Sequence, residues 1–211
     1  RLFHNRAPFA LLKFFVSISQ IDYNEQIESL RSKRSDTIRS EGICMKKEKS
    51  NTTAATSRVR LETPVGTLVF EARNNAVCAI HLATELDAAA PFSAPEGSSL
   101  AIAARQMGEY FEGKRTVFSF PMQAEGTAFQ QQVWQALNTI PYGETRTYGD
   151  IALQVGNPKG ARAVGGACNK NPLWIAVPCH RVLGAGGSLN GYAYGTGMKQ
   201  TLLALEQSNK K

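Results

Sequence analysis

Near the C-terminal end of this 211-residue chain, the hexapeptide VPCHRV, Val177 to Val182, sets a thiol between a proline and a histidine. A cysteine attacks as its thiolate, and neighbours that accept a proton or carry positive charge favour that form. His180 and Arg181 are such neighbours, and the CHR triplet reads as an imidazole and a guanidinium beside the thiol. A histidine base works best when a third group orients its ring. Glu206 is the only acidic residue after Asp150, so it is the candidate, although a lone glutamate on a terminal helix is usually solvated surface. Simple burial is the ordinary fate of a free cysteine, so a packed thiol and a reactive one both stay open on these residues alone.

Several elements would have to hold that thiol. LWIAVP, Leu173 to Pro178, is an apolar run that reads as a strand, with Cys179 just past its end, where a rigid scaffold can open into a cleft. Adjacent residues of an extended chain point opposite ways, so Cys179 and His180 need a bend or a bridging water to communicate. GTGMKQTLLALEQ reads as a final helix with Met198, Leu202 and Leu205 on one face. Upstream, Thr127 with Gln130 forms a capping-box pattern before an apolar stripe of Phe129, Val133, Leu137 and Ile140, ended by Pro141-Tyr142-Gly143. Thr147 with Asp150 opens a second helix, with Ile151, Ala152 and Val155 inward, which Gly156-Asn157-Pro158 breaks. Residues 159–169 form a third helix, short, basic and rich in small residues, closed by Asn171-Pro172. Two short helices across a tight turn make a helix-turn-helix, a geometry also common in proteins that never meet DNA. Ala161, Ala163, Gly165, Gly166 and Ala167 leave the third helix thin enough to approach another surface closely, with Arg162 as its one long central side chain.

Residues 58–121 form a separate α+β unit in this reading. RVRLETPVGTLVFEARNNAVCAIHL alternates apolar and polar residues around turns at ETPVG and RNN, which gives two or three antiparallel strands. Leu100, Ala103, Met107, Tyr110 and Phe111 recur at helical spacing, giving a helix over 99–112, and Val117 to Phe120 fits another strand. The expected fold is therefore α+β: a small N-terminal α/β domain with an antiparallel sheet over 58–121, then a mostly helical C-terminal domain containing a helix-turn-helix over 125–207. Residues 1–57 read as an extension and poorly ordered linker, with a short helix allowed near residue 21. PFALLKFFVSISQ faintly resembles a signal core, but Lys13 interrupts it, no small-residue cleavage motif is evident, and it is too short and charged to span a membrane. Met45 stands just before a plausible domain start, so residues 1–44 are assigned no chemical role.

Charge is unevenly spread. Residues 1–50 carry ten basic and six acidic side chains, residues 51–157 seven and ten, and residues 158–211 seven and one. A basic C-terminal quarter suits a polyanion, since lysine and arginine draw in phosphates, although many basic proteins bind no nucleic acid. Cys44, Cys78, Cys168 and Cys179 are dispersed, as free thiols in a reducing compartment are. The one close cysteine–histidine pair, Cys78 and His81, lies in a strand-like run and reads as core packing rather than a zinc site.

Three stretches carry a family likeness: IPYGETRTYGDIA, GNPKGARAVGGACNKNPLWIAVPCHRV and GSLNGYAYGTGMKQTLLALE. They resemble the O6-alkylguanine-DNA alkyltransferases, also called methylated-DNA–protein-cysteine methyltransferases, closely over residues 125–206. Residues 58–121 resemble that family's variable N-terminal domain. The resemblance implies direct DNA repair: Cys179 takes an alkyl group from O6 of a guanine flipped out of double-stranded DNA, is consumed in one turnover, and needs no metal or cofactor. It implies that His180 acts through a water, oriented by Glu206, and that Asn171 buttresses the turn beside the active-site loop. Arg162 would enter the base stack from the minor groove. Tyr148 would assist phosphate rotation and donate a proton to the leaving guanine, and Tyr192 would wall the base pocket. The expected DNA- and base-contacting set is Arg162, Thr147, Ala161, Ala163, Gly165, Val182, Tyr192 and Ala193. Cys168, Trp174 and Ala193 depart from the vertebrate pattern; Ala193 replaces a serine whose backbone N–H meets O6, and that donor survives the change.

Two other functions stand beside this one. A non-catalytic binder that flags alkylated DNA has no use for Cys179, and a thiol hydrolase built on Cys179, His180 and Glu206 leaves the thin basic helix without a purpose. The expected partner is double-stranded DNA with alkylated bases, with no membrane and a monomer as the default. The expected compartment is the cytoplasm, or the nucleus in a eukaryote.

Overall fold

The computed structural model describes residues 56–210; the extension over 1–44, the short helix near residue 21, Cys44 and most of the linker lie outside the described residues. Thr56 onward forms one unit with an α+β fold. Its first part is an antiparallel sheet of β1 (Ser57–Thr63), β2 (Gly66–Arg73) and β3 (Ala76–Leu82), in that order. The ETPVG and RNN turns pair Thr63 with Gly66 and Arg73 with Ala76, and a bulge at Glu71/Ala72 shifts the register of β2 on β3. Asn74 and Asn75 both sit at positive φ, a conformation asparagine tolerates and a two-residue hairpin of this hand needs.

Helix α1 (Ser99–Phe111) packs across all three strands. Ser98 caps it, and Leu100, Ala103, Met107, Tyr110 and Phe111, the residues at helical spacing, are all buried. Val117 to Phe120 forms no strand. Its successor 121–123 instead lies along the outer edge of β3, where Val77 N–H donates to Pro121 O at 2.9 Å and Gln123 N–H donates to Val77 O at 2.8 Å. Further along the same edge, Ile80 N–H donates to Pro172 O at 2.7 Å and Trp174 N–H to Ile80 O at 3.3 Å. An open strand edge is thus closed by two segments of the second half of the chain, one of which leads directly to Cys179.

That second half holds α2 (Ala128–Leu137), β4 (Arg146–Thr147), α3 (Tyr148–Gln154), α4 (Ala161–Asn169), β5 (Val182–Leu183) and α5 (Gly195–Ser208). Both capping boxes form: Thr127 Oγ1 accepts from Gln130 N–H while Gln130 accepts from Thr127 N–H, and Thr147 and Asp150 repeat the exchange. α3 and α4 pack as the expected helix-turn-helix, and α4 starts at Ala161 rather than at 159. β4 and β5 pair in parallel, matching Arg146 with Val182, and so bring the start of α3 to the residues after Cys179.

Leu173 to Pro178 is not a strand. Asn171 Oδ1 accepts from Leu173 N–H, Val177 N–H returns to Leu173 O at 2.9 Å, and Ala176 N–H reaches back to Trp174 O around Ile175 at φ +68. The apolar run folds on itself because each side chain finds burial in a tight turn, and apolar periodicity cannot separate that from a strand. The close cysteine–histidine pair of β3 also divides: Cys78 is buried, whereas His81 is half-exposed and meets Asp87 at 3.4 Å, so the two do not share one core site. Among the described residues no helix is long and apolar enough to cross a membrane. Thr127→Ala, which removes one capping hydroxyl, is expected to cost about 1 kcal/mol in a urea titration with an unchanged slope.

Candidate active site

Cys179 begins a single 3-10 turn, Cys179–Arg181, rather than ending a strand. Its own N–H donates to Val177 O at 2.8 Å around Pro178 at φ −81 and ψ 61, an inverse γ-turn that proline readily adopts. Asn171 braces this bend. Its Nδ2 donates to Val177 O at 2.8 Å and lies 3.4 Å from Cys179 Sγ, in donor geometry to the sulfur. The thiol is 5% exposed. Burial raises its pKa above the usual thiol value, with Asn171, Lys199 and Tyr192 pulling the other way.

His180 and Glu206 are both fully buried, against the expectation of a solvated glutamate. His180 Nε2 and Glu206 Oε1 are 2.8 Å apart. Since an ionised carboxylate only accepts, Nε2 carries the hydrogen and Nδ1 presents a lone pair. Nδ1 is buried and has no hydrogen-bond partner, an atom placed to take a proton through a water. Glu206 also accepts from Arg181 Nε (2.9 Å), Arg181 Nη2 (2.9 Å), Tyr110 Oη (2.8 Å) and Gly143 N–H (3.0 Å). Burial works to raise its pKa, but the donors from His180 and Arg181 prevail and hold it down at about 2. His180 shifts down, because burial and the nearby Arg181 and Lys199 charges outweigh Glu206. The resting site therefore holds a neutral thiol and a neutral imidazole beside a carboxylate–guanidinium pair.

Arg181 thus does not stand beside the thiol. Its guanidinium turns to Glu206 and donates to Ile140 O at 2.7 Å. Three further members are not legible in the sequence as site residues: Arg181 in this role, Tyr110 and Lys199. Lys199 is fully buried, donates Nζ to Val182 O, and lies 5.7 Å from the ring centroids of both Tyr148 and Tyr192. A lysine between Met198 and Leu202 on the inward face of α5 is the available signal. Gly143, read as a helix terminator, sits at φ +70, and a Cβ there would stand 3.3 Å from Glu206 O; its bare backbone lets its N–H reach the carboxylate.

α3 and α4 line an open groove of about 600 Å³ with Thr147, Tyr148, Ala161, Arg162, Gly165 and Gly191 among its walls. Arg162 and Ala163 are exposed, Thr147, Ala161 and Gly165 half-exposed. A Cβ on Gly166 would meet nothing within 4 Å, so the thin face of α4 looks into open space. Tyr148 is half-buried, and burial with nearby Cys168 and Cys179 pushes its pKa up to about 12, which keeps its hydroxyl protonated. Tyr192 Oη accepts from the indole N–H of fully buried Trp174, which stacks on Tyr194 at 4.1 Å between centroids. Ala193 is exposed between these rings. Val182 is fully buried, its N–H bonded to Cys179 O and its carbonyl to Lys199, so neither group points to the groove. Cys168 is buried in α4 with its pKa raised by burial to about 12, as a packing thiol.

Among the described residues Glu71, His81 and Asp87 form the one group close enough to hold a metal. Arg58 already lies 2.7 Å from Glu71 and 3.5 Å from Asp87, where a cation would sit.

The buried cluster dictates the acid stability. Glu206, depressed from 4.5, contributes stability that is complete above that value and lost as pH falls toward about 2; neutral His180, depressed from 6.5, contributes stability lost as pH falls below 6.5. The urea midpoint should fall in two stages on acidification. Glu206→Gln should lose about 3 kcal/mol at neutral pH and lack the lower stage.

The family described as 6-O-methylguanine DNA methyltransferase, DNA binding domain, matches residues 128–208. The methylated-DNA–protein-cysteine methyltransferase of Methanosarcina acetivorans is 58% identical over 106 residues, 50% of this chain and 68% of that protein. The crystal structure of Mycobacterium tuberculosis O6-methylguanine methyltransferase matches with a TM-score of 0.66 and 40% identity, over 74% of this chain and 96% of that one. A complex of the M. tuberculosis protein with DNA matches at 0.65 and 42%, over 72% and 94%. A turn-held, buried thiol backed by a histidine–glutamate pair is thus found in a chain that belongs to the methylated-DNA–protein-cysteine methyltransferase family.

Proposed function

We propose that this protein repairs DNA directly, moving the alkyl group of O6-alkylguanine irreversibly onto Cys179. The observation that carries the reading is the partnerless Nδ1 of a buried, neutral His180 whose other nitrogen is fixed by Glu206, one residue from a buried thiol.

The reaction is an SN2 displacement. Sulfur bonds to the alkyl carbon as the carbon–O6 bond breaks, and the bonding pair leaves with the guanine. The thiol proton passes through a water to His180 Nδ1. Tyr148, protonated because burial holds its pKa near 12, donates to the departing base and neutralises its developing charge. Once the His180 proton has passed by way of water to the Tyr148 phenolate, both groups are restored and the net exchange is one alkyl group for one proton: a thioether and an unmodified guanine. A thioether offers water no activated bond, so the protein is spent after one event.

The chain binds double-stranded DNA in this reading, with α4 in the minor groove. An O6 atom inside a duplex cannot reach a sulfur that is 5% exposed, so the base must leave the stack. Exposed Arg162 is the side chain long enough to fill the gap, and the small residues around it permit close approach without reading sequence. Thr147, Ala161, Ala163 and Gly165 contact the backbone, while Tyr192 and the N–H of Ala193 face the flipped base. A thiol hydrolase would leave this groove unused.

Intact mass after incubation with duplex DNA containing O6-methylguanine should show one methyl per chain, mapped to Cys179 and absent from Cys179→Ala, which keeps its DNA affinity. Turnover beyond one equivalent, or label on Cys168, would reject the reading. Arg162→Ala should lose at least about tenfold more rate on the paired lesion than on free O6-methylguanine, since only the duplex demands extrusion costing a few kcal/mol; equal losses would remove its part in flipping.

A further inference from the structure

Tyr110 belongs to α1, outside the segment 128–208 that carries the thiol, the histidine and the glutamate. Yet its side chain is fully buried, and its hydroxyl donates to Glu206 Oε1 at 2.8 Å. That oxygen also accepts from His180 Nε2 and Arg181 Nη2. We propose that Tyr110 is a positioning residue of the alkyl transfer, whose hydroxyl shares the Glu206 oxygen that orients His180 and thereby weakens that oxygen's hold on the imidazole proton. The proposal rests on the alkyl-transfer reading of the same site.

The geometry gives the effect a sign. Three donors converge on Oε1, and each draws off part of its negative charge. With the Tyr110 hydroxyl removed, more charge stays on the two remaining contacts, and His180 Nε2–H is one of them. His180 then holds a second proton more firmly, so the neutral imidazole that accepts the thiol proton appears only at higher pH, while above that pH a larger share of the relay stands as thiolate–imidazolium. The titratable and charged groups facing the pair and Tyr110 are Arg181 from the Cys179–Arg181 turn, Lys199 from α5, Tyr142 from the loop before β4, and Tyr192. None of them changes when one hydroxyl is deleted. The ring is held independently of it: Tyr110 meets Phe111 edge-on at 5.3 Å, Phe118 at 5.5 Å and Tyr142 edge-on at 5.9 Å between centroids. Phenylalanine at position 110 therefore keeps the packing and loses the donor.

The test is the pH dependence of Cys179 alkylation by iodoacetamide in the DNA-free protein, resolved by peptide mass, alongside single-turnover transfer from O6-methylguanine duplex. In Tyr110→Phe the acid limb of both profiles should move up by about one pH unit, the size of one lost hydrogen bond to a charged group. The plateau of the iodoacetamide profile should rise, because a firmer proton acceptor enlarges the thiolate share of the pair. Incorporation of 3,5-difluorotyrosine at position 110 strengthens the donor and should move the limb down, a check that survives if the phenylalanine variant folds poorly. Tyr142→Phe, which alters the neighbouring ring without touching Oε1, should leave the limb where it is. A Tyr110→Phe profile that drops at every pH without moving, or that moves down, overturns the proposal. Failure of the unmodified protein to accept a methyl group would instead reject the function, and the iodoacetamide profile separates the two results.

Discussion

The fold turns on one buried carboxylate. Glu206 is the only acidic side chain after Asp150 and is fully buried in a basic quarter of the chain. Removing a charge from water is costly unless its lone pairs are met by well-aligned donors. Five hydrogen bonds meet Glu206 and tie together four stretches of chain: α1 through Tyr110, the turn after α2 through Gly143, the turn that begins at Cys179 through His180 and Arg181, and α5, on which Glu206 itself rides. Arg181 supplies two of these bonds and balances the charge. Burial, helped by the positive charges of Arg181 and Lys199, holds the His180 imidazole neutral at rest.

The thiol is held from the other side by main chain. The outer edge of β3 accepts residues 172–174 as a short added strand, and Asn171, just before them, turns the chain back through Val177 O toward Cys179. The N-terminal sheet is therefore part of the support for the reactive loop, not only a neighbour of it. The cost is visible at Ile175, a β-branched residue held at φ +68 and fully buried. Such a conformation persists only where the surroundings over-determine it, and here the Trp174–Tyr194 stack and the Ile80 pairing fix the chain before Ile175 while the Val177 N–H bond to Leu173 O fixes it after.

The helices and hairpins are legible in the sequence because each carries a local signal. Thr127 with Gln130 and Thr147 with Asp150 mark helix starts, paired asparagines mark a hairpin, and every residue of the α1 stripe is buried, with polar Ser99 and Gln106 joining the buried face unannounced. Leu173 to Pro178 misleads because an apolar run says that residues are buried, not in which conformation. Val117 to Phe120 fails for the same reason. The motif around Cys179 points to the thiol, His180, Glu206 and Asn171, and the structure brings these four together. Arg181 is legible as a charge but not in its direction, since adjacent side chains on a 3-10 turn diverge. Tyr110 and Lys199 are invisible as site residues because their contacts are long-range: Tyr110 lies 96 positions from its partner Glu206, and no spacing rule reaches that far.

The same geometry bears on why a buried thiol can be kept for a single use. A standing thiolate would react with any small electrophile and be lost, whereas burial here raises the pKa of Cys179 and lowers that of His180, so the two shifts together oppose the ion pair. What favours charge at the sulfur is first the Asn171 amide and then Lys199, buried with its ammonium 5.7 Å from the rings of Tyr148 and Tyr192 and its carbonyl anchor at Val182. Its charge is in place before reaction and costs no rearrangement as negative charge develops. A proton-accepting Nδ1 on one side and a fixed cation on the other make thiolate formation favourable only while an alkyl carbon is there to take the electron pair, which matches a protein consumed by each reaction it performs.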